Sequence, residues 1–140
     1  MKSLPDNPYN PMCWIIGEPT IGQGCWIGAF TLLDGSGGLT IGEGTEVSSG
    51  AQILTHSSAR RTVTDRAYEH VDRKATHIGK HVFIGTNATV LMGARVGDHS
   101  IIGAGAVVTE DMVIPPYSVA VGVPAKVVKR VDYPELDAAQ

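Results

Sequence analysis

An aliphatic residue returns at every sixth position over most of this chain, and that period excludes most folds. The series runs Ile15, Ile21, Ile27, Leu33, then after two extra residues Ile41, Val47 and Ile53; it resumes at Ile78, Ile84, Val90, Val96, Ile102, Val108, Ile114 and Ala120. Glycine often follows directly, as at Gly22, Gly28, Gly42, Gly85 and Gly103, and the fifth place is mostly small, as at Cys25, Thr31, Ala51, Ala88 and Ala106. A period of six fits neither a 3.6-residue helix nor simple strand alternation, so each hexad is a short β segment followed by a turn. Three hexads make one triangular coil, with β-branched residues on the inward wall and glycine or small residues at the corners. The hexads divide into coils of three sides, A, B and C, starting at Ile15, Leu33, Ile53, Val90 and Val108. This predicts an all-β fold: a parallel β-helix of about five triangular coils, with strands of successive coils about 4.8 Å apart and each coil buried only against its neighbours.

The composition agrees with that reading. A chain of 140 residues has room for one domain. Its 17 glycines and 8 prolines, beside 6% aromatics, suit many tight turns and argue against a helical bundle. The expected organisation is an extended, proline-rich arm over residues 1–13, a β-helix domain over 14–124, and a tail over 125–140. No apolar run approaches the ~20 residues of a membrane span. The N-terminus MKSLPDNPYNPMC has no apolar signal core, so a cytoplasmic location without a membrane partner is expected. A net charge of −3 gives a nucleic-acid partner no support from the chain as a whole. Cys13 and Cys25 have neither metal spacing nor a disulfide framework and read as buried reduced thiols.

Two interruptions break the repeat, and both leave the corner between sides A and B. The first is the pair of extra residues within Leu33–Thr40; the second is a long excursion over about residues 59–76. Loops of such length in compact domains are usually functional or disordered. His56 stands at an outward place at the root of the excursion, where truncating it should spare the core. An imidazole, with an ordinary pKa near ~6.5, can accept a proton at neutral pH. Arg60, Arg61, Arg66 and Arg73 in the excursion could hold an anionic group such as a nucleotide-sugar diphosphate or a carboxylate. His81 and His99, eighteen residues apart with Tyr117 next in line, should form an outward ladder on side B.

The repeat of aliphatic, Gly, two variable residues, small, variable resembles that of the hexapeptide-repeat acyltransferases over about residues 14–130. Within it, Ile41–His56 resembles the stretch that ends in the catalytic histidine of galactoside, maltose and related sugar acetyltransferases. The resemblance implies a left-handed β-helix and a homotrimer. It implies transfer of an acyl group, most simply from acetyl-CoA, to a saccharide hydroxyl, with His56 as general base and no metal. By the same resemblance Phe83 takes the place of an aromatic lining the site, and Thr86, Ala104 and Thr109 match positions along a pantetheine groove. Lys126 and Lys129 match basic residues near the phosphates of coenzyme A. At Ala29–Asp34 the chain departs from members acting on galactosides, which carry asparagines there; Asp34 alone keeps polar character. Asp34, Arg60 and Arg61 are therefore the expected acceptor contacts, while Glu46 or a backbone carbonyl could orient His56. N-acylation of an amino sugar, a zinc protein of the gamma-class carbonic anhydrase kind and a non-catalytic scaffold are the alternatives.

Overall fold

The computed structural model describes residues 4–138. Short strands form three parallel sheets, one for each side of a triangular prism. Side A stacks Trp14–Ile16, Leu32–Asp34, Gln52–Ile53, Thr89–Val90 and Val107–Val108. Side B stacks Thr20–Ile21, Leu39–Ile41, Thr76–Ile78, Arg95–Val96 and Val113–Ile114. Side C stacks Trp26–Ile27, Glu46–Val47, Phe83–Ile84, Ile101–Ile102 and Ser118–Val121, with Lys126–Arg130 added antiparallel at its end.

The register is the one set by the hexads. On side A, Ile15 pairs with Leu33, Leu33 with Ile53, Ile53 with Val90 and Val90 with Val108. Side B aligns Ile21, Ile41, Ile78, Val96 and Ile114, and side C aligns Ile27, Val47, Ile84, Ile102 and Ala120. These inward residues fill the prism, and Leu33, Ile53, Ile78, Ile84, Val90 and Ile102 are fully buried. Each such side chain contributes about 1.5–3 kcal/mol by leaving water. A hexad alone could not bury its aliphatic residue, so stability comes from stacking.

The corner between sides B and C is turned by left-handed backbone, at Gly24 and Gly44 in the upper coils and at His81, His99 and Tyr117 below. The latter three rings form a column, His81 tilted against His99 and His99 stacked on Tyr117. His81 and His99 centroids are 5.1 Å apart, His99 and Tyr117 4.7 Å, and the Arg130 guanidinium lies 5.1 Å from the Tyr117 ring. The expected ladder is therefore present, at the edge of side B. It stops at Gly44, where φ is +67° and a Cβ would lie 2.3 Å from His81 Nδ1.

Both ends are more structured than expected. In the N-terminal arm the Asn7 Oδ1 accepts from the amides of Tyr9 and Asn10, and Asn10 Nδ2 donates to the Ile27 carbonyl at 3.3 Å. The supposed tail supplies the sixth strand of side C and a short helix, Pro134–Ala138. Cys13 is buried, which pushes its thiol pKa up, and Cys25 is only half-buried, donating to the Gly42 carbonyl. No helix among the described residues is long and apolar enough to cross a membrane.

Candidate functional site

Both interruptions of the repeat converge on His56. The first makes room beneath it. The chain leaves side A at Asp34 and turns through Gly35–Gly38, where the Gly35 amide donates to the Ile16 carbonyl at 2.8 Å. The turn wraps Thr55: its hydroxyl donates to the Asp34 carbonyl at 2.8 Å and accepts from the Gly37 amide at 2.8 Å. The Asp34 carboxylate is thereby enclosed, with none of its side chain exposed. Its Oδ1 accepts from the Ser36 amide and its Oδ2 from the Thr55 amide, both at 2.9 Å. Oδ2 also takes a hydrogen bond from His56 Nδ1.

These bonds decide the protonation of the pair. Burial alone would raise the Asp34 pKa, but the hydrogen bonds from His56, Thr55 and Ser36 outweigh it and hold the carboxyl well below the usual carboxylate range. An ionised carboxylate can only accept, so Nδ1 of the imidazole carries the proton. The lone pair of the neutral ring then sits on Nε2. His56 itself is 38% exposed and open to a ligand.

The second interruption builds a wall over the imidazole. His56–Ser57 pairs antiparallel with Asp72–Arg73, and between them runs a one-turn helix, Ala59–Val63. Coil and excursion flank an open cleft of ≈ 350 Å³, lined by Ile16, Asp34, Ser36, His56 and Ser58 and by Arg61, Val71 and Arg73.

The expected site residues fall in several places. Asp34 does not stand free to meet an acceptor, because its oxygens are buried and committed to His56 and two amides. Neither expected orienting group holds the histidine: Glu46 lies on side C in register with Phe83, and the Nδ1 partner is the Asp34 side chain. Of the two arginines, Arg61 lines the cleft, whereas Arg60 turns away to lie 3.9 Å over the Tyr68 ring. Phe83 is 41% exposed on the outer face of side C. Thr86 and Ala104 are exposed at the corner between sides C and A, and beside them a Cβ on Gly105 would meet nothing within 4 Å. Thr109 is half-buried just past the opposite edge of side A. Lys126 and Lys129 are exposed and pair with Val121 and Val119, so a register shift lets residues three apart share one face. None of these six lines the cleft at His56 within one chain. Among the described residues no group of three His, Cys, Asp or Glu side chains could hold a metal ion.

Residues 75–110 match the family described as bacterial transferase hexapeptide (six repeats). The chain is 36% identical over 101 residues to the galactoside O-acetyltransferase of Escherichia coli (strain K12), a match covering 67% of this chain and 49% of that one. A Staphylococcus aureus (strain COL) relative is 52% identical over 56 residues, 40% of this chain and 27% of its own. The chain thus spans about half or less of the length of these curated relatives. Among solved structures, a maltose O-acetyltransferase from Clostridium difficile 630 superposes with a TM-score of 0.67 at 25% identity, covering 86% of this chain and 67% of that one. AntD, an N-acyltransferase from Bacillus cereus solved with dTDP and 3-hydroxybutyryl-CoA, shares the fold with a TM-score of 0.76 at 22% identity, over 91% of this chain and 71% of its own. Residues 75–110 thus carry the hexapeptide repeat of the bacterial transferases, and the three-sided coils share the fold of these solved relatives.

Proposed function

We propose that this protein is an acyltransferase that moves an acetyl group from acetyl-CoA to a saccharide hydroxyl, with His56 as general base. The observation that carries this reading is the buried, ionised Asp34 bonded to Nδ1 of a histidine that opens onto a cleft. The acceptor hydroxyl gives its proton to Nε2 as its oxygen attacks the thioester carbonyl, forming a tetrahedral oxyanion. Collapse of that species breaks the carbon–sulfur bond, and the imidazolium returns the proton to the departing thiolate. Asp34 holds the ring in one tautomer and stabilises the imidazolium by its charge.

Acetyl-CoA is a substrate in this scheme. The open C–A corner at Thr86, Ala104 and Gly105 offers its pantetheine arm an approach to the backbone. Lys126 and Lys129 supply cationic groups on one face for its phosphates. Because these groups and His56 lie at different edges of one chain, the working unit in this reading is a homotrimer in which neighbours share each site. A thiol-containing chain using an acyl-CoA fits the cytoplasm. The same base would serve an amine, and the fold shared with the N-acyltransferase AntD supports N-acylation of an amino sugar as the second reading.

The test is thiol release from acetyl-CoA over a panel of sugars and amino sugars. His56→Ala should lower transfer by roughly 10²- to 10⁴-fold, the usual contribution of a general base. His77→Ala, on side B away from the cleft, should not. Wild-type turnover from His56→Ala would remove the proposal.

A further inference from the structure

The cleft over His56 carries a feature that base catalysis does not require: two arginines, Arg61 and Arg73, face into it. Arg73 is the cross-strand partner of His56, and directly paired residues of an antiparallel ladder put their side chains on the same face. Arg61 comes from the helical turn that follows His56 and is half-buried. Among the described residues neither guanidinium pairs with a carboxylate; the ion pairs formed are His56 with Asp34, Lys74 with Asp111, and Lys80 with Glu43. Asp34, the one acid lining the cleft, is enclosed and committed to His56, Thr55 and Ser36. The excursion's own acids stand elsewhere: Asp72 accepts the Tyr68 hydroxyl at 2.7 Å, and Asp65 and Glu69 do not line the cleft.

Two cations held at one small cleft repel each other, and an anion between them converts that repulsion into attraction. The guanidinium fork suits the paired oxygens of a carboxylate or phosphate. The remaining wall offers apolar Val71 and Ile16 with the hydroxyls of Ser36 and Ser58, surfaces suited to the carbon face and hydroxyls of a sugar. We infer that the acceptor is an anionic saccharide, its carboxylate or phosphate held by Arg61 and Arg73 while the hydroxyl to be acylated meets Nε2 of His56. The inference rests on His56 being the base, and it separates this acceptor from the neutral sugars in the relatives' names.

The experiment compares glucose with glucuronate, glucose 6-phosphate and UDP-glucose as acceptors for the whole protein with acetyl-CoA. An anionic acceptor should exceed glucose in kcat/KM by at least ~10-fold, and the three anionic arms separate a carboxylate, a phosphomonoester and a diphosphate. The Arg61→Gln, Arg73→Gln double variant should raise the acceptor KM about 10- to 100-fold and erase the preference, leaving the acetyl-CoA KM unchanged. Arg95→Gln, on the outer face of side B, should change neither. A preference for glucose, or a double variant whose acetyl-CoA KM rises in place of the acceptor KM, would overturn the inference and leave His56 as the base. Titration with inorganic pyrophosphate, followed by the NMR shifts of the His56 ring, reads the anion site without turnover. A saturable shift that the double variant loses supports the inference even if no acceptor of the panel is acylated; no shift in the wild type overturns it. Saturable binding together with normal transfer by His56→Ala would sink the base and keep the anion site.

Discussion

Asp34 sits where two demands on a carboxylate oppose each other: burial favours the neutral acid, and a ring of donors favours the ion. The donors prevail, so its folded pKa lies below that of an unfolded aspartate. A group shifted this way stabilises the fold at pH values above the ordinary value near ~3.9, and that contribution is lost as pH falls through the folded pKa. Asp34→Asn keeps the shape and removes the charge. At neutral pH it should cost about 1–3 kcal/mol, and the deficit against wild type should narrow below about pH 4; urea unfolding at several pH values measures it. The same variant should lower kcat by roughly 10²-fold or more with little change in acceptor KM, since the tautomer and the imidazolium are served only when the ring works. Unchanged kcat would show that Asp34 only supports the turn. The pair also corrects the expectation that truncating His56 spares the fold. Without the imidazole a buried carboxylate loses one donor, so His56→Ala should itself be destabilised, by about 1 kcal/mol or more.

At the level of elements, the two departures from the six-residue period form one device, a floor and a wall for one histidine. The floor is tight. A Cβ on Gly37 would lie 2.2 Å from the Thr55 carbonyl oxygen, in the residue before His56. Gly37→Ala should therefore cost about 1–3 kcal/mol and also lower kcat, because the strain is relieved by moving Thr55 and with it His56. A thermal melt paired with an acyl-transfer assay checks both; loss of stability with full turnover would show that the base does not depend on this turn. The wall is separable. No residue from Ala59 to Ala75 is buried, so replacing residues 60–71 with a short Gly-Ser turn should leave the coils folded and the melting temperature within a few degrees. Transfer to the acceptor should be lost. A collapsed circular dichroism spectrum would make the excursion part of the fold. This division explains what the sequence reveals. Every coil is legible because each inward place is a β-branched or aliphatic residue whose neighbour lies one coil away. The Asp34–His56 pair is not, because the inserted turn puts the two residues 22 apart, off the repeat, and the bond joins corners. Arg60 and Arg61 are equivalent in the sequence; only the helical turn sends one to Tyr68 and the other to the cleft.

On the scale of the whole molecule, the prism leaves a column of apolar groups on one outer side. Trp26, Phe83, Ile101 and Val119 align on side C with only Glu46 between them, and Phe30 stands 68% exposed at the adjoining corner. Such a stripe is costly in water and suits contact with another copy. In the proposed homotrimer, the C–A edge of one chain, with Thr86 and Ala104, would meet the A–B edge of the next, with His56. Light scattering should then report three times the monomer mass, but the sharper measurement is complementation. His56→Ala removes the proposed base and keeps the proposed groove; Ala104→Trp fills that groove and keeps the base. Each should be inactive alone. In trimers reassembled from an equal mixture, about a quarter of the interfaces unite an intact base with an intact groove, so about a quarter of wild-type turnover should return. A site built within one chain recovers nothing on mixing. Silence from the mixed trimers, with each variant folded and trimeric, would therefore place base and groove in the same subunit and send the search for the cofactor's seat back to the edge that His56 itself occupies.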